Sequence, residues 1–131
     1  MTPTPESTLA HVTALATAIY PATDLAKAKA WYAEVFGVQP YFDQPFYVGF
    51  DIGGYELGLM PAEPPVHQAG NLGVTAYWRV ADCAAAHARV LALGARELSA
   101  VQDVGEGIKV SSVTDPDGNA LGLIENPHFK K

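Results

Sequence analysis

Apolar positions along the chain fall into short runs at strand spacing, interrupted twice by longer stripes at helical spacing. Leu15 to Tyr20 reads as a buried strand, and Pro21-Ala22-Thr23-Asp24 turns it into a helix capped by Asp24. Leu25, Ala28, Trp31, Tyr32, Val35 and Phe36 then recur at intervals of three and four, and Gly37 follows as a stop. Three strands are expected next, over Val38–Phe42, Phe46–Ile52 and Tyr55–Met60, divided by Pro45 and by Gly53-Gly54.

Pro61 to Asn71 has no periodicity and is rich in Pro, Ala and Gly, which makes it a linker. The pattern then restarts. Gly73–Val80 reads as a strand, Asp82 as a second cap, and Cys83, Ala86, Val90 and Leu93 as a second helical stripe stopping at Gly94. Strands near Arg96–Ser99, Gly107–Val113 and Ala120–Glu125 complete the series. Between the last two, Asp115-Pro116-Asp117-Gly118-Asn119 has the residues of a tight reversal.

The two halves also align residue by residue. A displacement of 58 carries Thr17, Ala18 and Asp24 onto Thr75, Ala76 and Asp82, and one of 64 carries Gly54, Leu57, Gly58 and Leu59 onto Gly118, Leu121, Gly122 and Leu123. The expected fold is therefore α+β: two βαβββ modules from an internal duplication. Half-sized modules bury little core alone, so the sheets are expected to join into one curved, barrel-like mixed sheet with helices on the convex side. The divisions are a leader over 1–13, a first module over 14–60, a linker over 61–72, a second module over 73–126 and a tail over 127–131.

Composition narrows the function. Fourteen acidic residues against eight Lys and Arg give a formal charge of −6, which disfavours nucleic acid and anionic membrane surfaces as partners. A lone cysteine, Cys83, excludes an internal disulfide and suits a reducing compartment. No stretch approaches the ~20 apolar residues of a membrane span, and the start MTPTPEST lacks a basic signal. These features imply a cytoplasmic protein whose partner is a small molecule or another protein.

The strand leading to Asp24, Trp31-Tyr32 before Val35-Phe36-Gly37, the repeated entry at Asp82 and the Asp115–Asn119 reversal together resemble the vicinal oxygen chelate superfamily of glyoxalases, bleomycin-resistance proteins and extradiol dioxygenases. The resemblance runs from about Ala14 to Glu125. It implies a concave sheet that holds a ligand, pairing of chains as homodimers and, in the enzymes, a divalent metal held by His, Glu or Gln. The corresponding positions here are Thr17, Gly58, Thr75 and Gly122. Glycine offers no side-chain donor and a neutral hydroxyl is a poor one, so no resident metal is expected unless its site is displaced. Small side chains at these positions are expected to enlarge the concave face and remove charge from it.

Strand alternation extends the candidate site. With Thr17 and Thr75 facing the concavity, Ile19, Tyr77 and Arg79 share their side; with Gly58 and Gly122 facing it, so do Glu56, Met60 and Ile124. Glu56, Tyr77 and Arg79 bring polar heads that require a partner, and Tyr41 and Tyr47 are candidates for an aromatic wall. Trp31, Tyr32, Trp78 and Cys83 read as core. Of the histidines, His11, His87 and His128 read as incidental, whereas His67, in the linker, has the best chance of closing over a pocket. Gly105-Glu106-Gly107 reads as a loop tip, with Glu106 and Lys109 placed to overhang the pocket.

These readings favour a metal-free protein that binds or sequesters a small, partly aromatic molecule. The alternative is a glyoxalase- or dioxygenase-like enzyme. Its metal would be displaced toward Glu56, His67 or Glu106, or its acid–base chemistry would be metal-free and carried by Tyr77, Arg79 and Glu56. No catalytic residue is assigned. A third reading, a regulatory or partner-binding module with a vestigial pocket, would be favoured over both by a well-formed, dry and filled concavity.

Overall fold

The computed structural model describes residues 12, 14–71 and 73–128. Most of the expected leader, with His11, and the last three residues of the tail lie outside them. Two modules follow each other. The first comprises β1 (Thr17–Ala22), α1 (Leu25–Phe36), β2 (Phe42–Gln44), β3 (Tyr47–Ile52) and β4 (Tyr55–Pro61). The second comprises β5 (Ala76–Arg79), α2 (Cys83–Ala92), β6 (Arg96–Gly105), β7 (Ile108–Thr114) and β8 (Ala120–Glu125).

Both helices start as the sequence requires. Asp24 and Asp82 are extended and each accepts a hydrogen bond from the backbone three residues on, at 3.1 Å from Lys27 N and 3.0 Å from Ala85 N. Gly37 closes α1 at φ 68°, its N–H donating to Ala33 O, a left-handed cap that suits glycine.

The strands form two four-stranded sheets, ordered β1-β4-β3-β2 and β5-β8-β7-β6, with the first pair of each parallel and the rest antiparallel. The duplication thus reaches topology. The sheets do not merge: they are not closed into the expected barrel-like surface. The modules are joined on the helical side instead. Trp31 Nε1 donates to Leu93 O, Arg89 donates to the carbonyls of Glu34 and Val35, and Trp78 Nε1 donates to Tyr20 Oη at 3.0 Å. These side-chain links take the place of strand pairing.

One core runs through both modules. Tyr20, Tyr32, Val48, Phe50, Leu57 and Leu59 from the first meet Cys83, Val90, Val113, Leu121 and Leu123 from the second, and Phe36 meets Trp78 edge to face at 5.4 Å. Cys83 is wholly buried, as its place on the apolar stripe implies. His87 departs from its incidental reading. It is buried beneath α2, with Nδ1 2.8 Å from Ser111 Oγ and Nε2 2.8 Å from Glu97 Oε1.

The Asp115–Asn119 reversal is the main fastening. Asp115 Oδ1 accepts from the backbone of Asp117 and Asn119, and Gly118 sits at φ 88°. The turn also reaches into the first module. Tyr32 Oη donates to Asp115 Oδ2 at 2.6 Å, Asn119 Nδ2 donates to Pro21 O at 2.8 Å, and Thr23 donates to Asp117. Burial raises the Tyr20 hydroxyl to about 12; burial and the adjacent Asp115 raise Tyr32 well above its ordinary value.

Four strands have other bounds than expected: β1 runs on through Pro21-Ala22, β5 begins at Ala76 instead of Gly73, and β2 and β6 differ as follows. The strand anticipated over Val38–Phe42 begins only at Phe42, because Pro40 precedes it and Tyr41 N alone meets Gly49 O. β6 runs to Gly105 instead of Ser99, through register shifts that a periodicity of two does not reveal. The linker is partly ordered, with Glu63 and His67 bonded backbone to backbone and Gly70 N donating to Asn119 Oδ1.

Candidate site on the open sheet faces

In β1 and β4, Ala18, Tyr20, Leu57 and Leu59 point to the helices and the shared core. Thr17, Ile19, Glu56, Gly58 and Met60 alternate with them and therefore share the opposite, open face. Register sets them side by side: Thr17 opposite Glu56, Ile19 opposite Gly58 and Pro21 opposite Met60. In the second module, Tyr77 lies opposite Gly122 and Arg79 opposite Ile124, again on the face away from Trp78, Leu121 and Leu123. Thr75 lies just before β5 and is half-buried. The two halves of the candidate set thus occupy two separate sheets.

The glycines do not enlarge the face. A side chain on Gly58 would overlap the Tyr47 hydroxyl and approach Tyr47 Cζ to 2.7 Å, and one on Gly122 would lie 2.5 Å from Tyr77 Cδ1 and 2.9 Å from Ala76 O. Both glycines are buried. A tyrosine ring therefore occupies the space expected to be empty, and what is offered outward at these positions is aromatic surface.

Around Tyr47 the first module builds a cluster that alternation alone does not reveal. β3 places Tyr47, Gly49 and Asp51 on the open face, Gly49 opposite Gly58 and Asp51 opposite Glu56. Phe42 is opposite Gly49, its ring 6.1 Å from that of Tyr47. Glu56 accepts a hydrogen bond on each carboxylate oxygen, from Tyr41 Oη on Oε2 and from Tyr47 Oη at 2.7 Å on Oε1. Gly49 is needed for this approach, since a Cβ there would stand 2.7 Å from Glu56 Oε2 and 3.1 Å from Tyr41 Cε1. The Thr17 hydroxyl lies close enough to influence Glu56 and Tyr47, yet its oxygen is buried without a well-aligned partner.

Titration follows from these contacts. Burial alone would raise the Glu56 pKa, but the hydroxyls of Tyr41, Thr17 and Tyr47 together outweigh it and hold the carboxyl below its ordinary value. The hydrogen bond to Glu56 is the main cause that lifts Tyr41 to about 12, and burial is the main cause that lifts Tyr47. At neutral pH the cluster is one carboxylate held by two neutral phenols.

Other candidates fall outside this face. Lys109 shares the parity of Ser111 and Val113 and so points toward the helix side, while Glu106 forms the β6–β7 turn at φ 60°, its carbonyl accepting from the His128 ring. The His67 Nε2 atom is buried without a hydrogen-bond partner. Open recesses occur elsewhere, one of ≈ 540 Å³ beside Arg96 and the Asp115–Gly118 turn and one of ≈ 380 Å³ between α1 and Gln44-Pro45.

The fold and this face can be set beside known proteins. A sequence model of the Glyoxalase/Bleomycin resistance protein/Dioxygenase superfamily matches residues 8–123. The chain belongs to this superfamily. Among solved structures, it is similar to a glyoxalase-related enzyme from Fulvimarina pelagi, with 22% identity, a TM-score of 0.75 and coverage of 91% of this chain and 92% of the other. It is also similar to a lactoylglutathione lyase from Agrobacterium tumefaciens, with 24% identity, a TM-score of 0.69 and coverage of 92% and 100%. A glyoxalase/bleomycin resistance protein from Catenulispora acidiphila is 20% identical with a TM-score of 0.62, covering 89% and 100%. At these identities the likeness is one of fold. No curated protein matches the chain significantly.

At the positions that the resemblance assigns to the superfamily's metal, the residues present do not suit a divalent ion. Thr17, Thr75, Gly58 and Gly122 supply no anionic or imidazole donor, and the rings of Tyr47 and Tyr77 lie where side chains on Gly58 and Gly122 would stand. Among the described residues no three His, Cys, Asp or Glu are grouped to hold an ion. No helix among them is long and apolar enough to cross a membrane.

Proposed function

We propose that the protein binds a small, partly aromatic molecule against its open sheet faces and sequesters or carries it without a resident metal. The observation that carries this reading is the paired placement of Tyr47 over Gly58 and Tyr77 over Gly122, which presents aromatic surface at both positions. Ile19, Phe42, Tyr41 and Tyr77 are all more than a third exposed on or beside these faces, more apolar surface than a solvated sheet requires. The residues in contact are Thr17, Ile19, Glu56, Met60, Thr75, Tyr77, Arg79 and Ile124, with Gly58 and Gly122 beneath the rings. The same reading includes pairing of two copies and a cytoplasmic setting; sedimentation of the purified chain tests the pairing.

Melting temperature provides the test. Members of a panel of polycyclic and glycopeptide-type compounds should raise it by mass action, while saturating zinc, nickel, manganese or iron(II) should leave it unchanged. Failure of the whole panel, or stabilisation by a metal, contradicts the proposal. A second reading, acid–base catalysis, draws on the Tyr41–Glu56–Tyr47 cluster. Hemithioacetal isomerisation or catechol cleavage that is lost in Glu56→Gln would replace the binding reading with this one.

A further inference from the structure

We infer that the open face of the first module recognises an organic cation, a protonated amine carried on an aromatic body, beside the Glu56 carboxylate and against the rings of Tyr41, Tyr47 and Phe42. The inference rests on the binding reading and names the chemical class that this half of the site selects.

Charge placement points to it first. Asp51 and Glu56 stand directly opposite each other across β3–β4 on the same face, an arrangement that repels when both are ionised. The ion pairs Lys29–Asp43 and His87–Glu97 lie on the helix-covered side. Neither of these basic groups reaches Glu56. Its partners are the hydroxyls of Tyr41 and Tyr47, with that of Thr17 beside them, and none of these brings a charge. An ionised carboxylate has about four lone-pair sites, so an ammonium group can add to the hydroxyl donors already present.

Ring placement agrees. Tyr41 is 64% exposed and Phe42 38%, and Phe42 packs against both Tyr47 and Phe46. Aromatic faces beside a carboxylate attract a cation through the ring quadrupole as well as through charge. Hydrogen bonding also keeps Glu56 ionised below its ordinary pKa. The fold itself does not demand this cluster. In the second module, the position of Glu56 is taken by Ala120 and that of Gly49 by Ser112, opposite Gly122.

Titration calorimetry with 1-naphthylmethylammonium and with neutral 1-naphthalenemethanol separates the outcomes. The cation should bind about tenfold tighter or more. Glu56→Gln should erase that preference while leaving the alcohol's affinity in place, and Asp51→Asn, an exposed substitution, should reduce it severalfold even if Glu56→Gln folds poorly. Glu34→Gln, which removes the same charge from the outside of α1, should leave the preference intact. Equal affinities for the two probes would overturn the cation inference and spare the binding reading; binding of neither would remove both. A preference that survives Glu56→Gln, or disappears equally in Glu34→Gln, would overturn the inference as well.

Discussion

The open faces of the two modules carry the same device built from different strands. In the first, Tyr47 reaches over Gly58 from the neighbouring β3; in the second, Tyr77 covers Gly122 from β5, directly opposite it. Beyond that the faces part. The first surrounds its tyrosine with Tyr41, Phe42, Asp51 and Glu56, whereas the second has Ser99 bonded to Ser112 at 2.7 Å. The helix-covered faces stayed alike, with Leu57 and Leu59 matched by Leu121 and Leu123 and each helix capped by aspartate. Packing therefore fixed one side of each duplicated sheet, while the other side was free to take on separate chemistry.

Breaking the shared side should have the largest effect. Asp115→Ala removes the acceptor of Tyr32 and of three further donors in a buried turn, and should cost about 3 kcal/mol or more in chemical denaturation. Because this turn fastens β8 to the first module, both modules should lose structure in one transition. Separate transitions would show that they are less coupled than the common core implies.

Next come the glycines, where the two faces should respond unequally. Gly122→Ala forces a Cβ against Tyr77 and the Ala76 backbone carbonyl, and should cost ~1–3 kcal/mol. Gly58→Ala meets only the far end of Tyr47, which can swing aside, so its cost should be smaller. Displacing Tyr47 should, however, break its bond to Glu56. Equal costs in thermal unfolding would indicate that the tyrosines do not sit on the glycines as described.

Alkaline pH tests the buried side again, with a smaller effect. Tyr20 and Tyr32 have folded-state pKa values raised above the unfolded value near 10, so the stability tied to their neutral form is complete below pH ~10 and declines as pH rises toward about 12. Tyr32→Phe should flatten this decline, and an unchanged profile would contradict the assignment.

The smallest effect belongs to Glu56. Its depressed pKa contributes stability that is present above the unfolded carboxylate value and is lost as pH falls through the folded one. Glu56→Gln should weaken that acid dependence yet change stability at neutral pH by under ~1 kcal/mol, since lost tyrosine bonds are offset by relief from Asp51.

Much of this was legible in the sequence because it depends on local rules. The aspartate caps, Gly37, the Asp115–Asn119 turn and the alternation of Thr17, Ile19, Glu56 and Gly58 each follow from a few neighbouring residues. Contacts across long separations were not. Tyr41 and Tyr47 meet Glu56 only once hairpin registers are set, and Tyr32 meets Asp115 across 83 positions. A buried His87 bonded to Ser111 and Glu97 likewise has no local signature. The expected space above Gly58 and Gly122 was misjudged because a missing side chain creates volume only when no neighbour folds into it.

The most direct test of the central claim is an amide NMR footprint of a polycyclic aromatic probe in metal-free buffer. The account predicts shifts concentrated at Thr17, Ile19, Gly58, Tyr77 and Gly122, with Val90 and the α2 backbone unmoved. Shifts confined to the Asp115–Gly118 recess, or appearing only after a divalent ion is added, would contradict it.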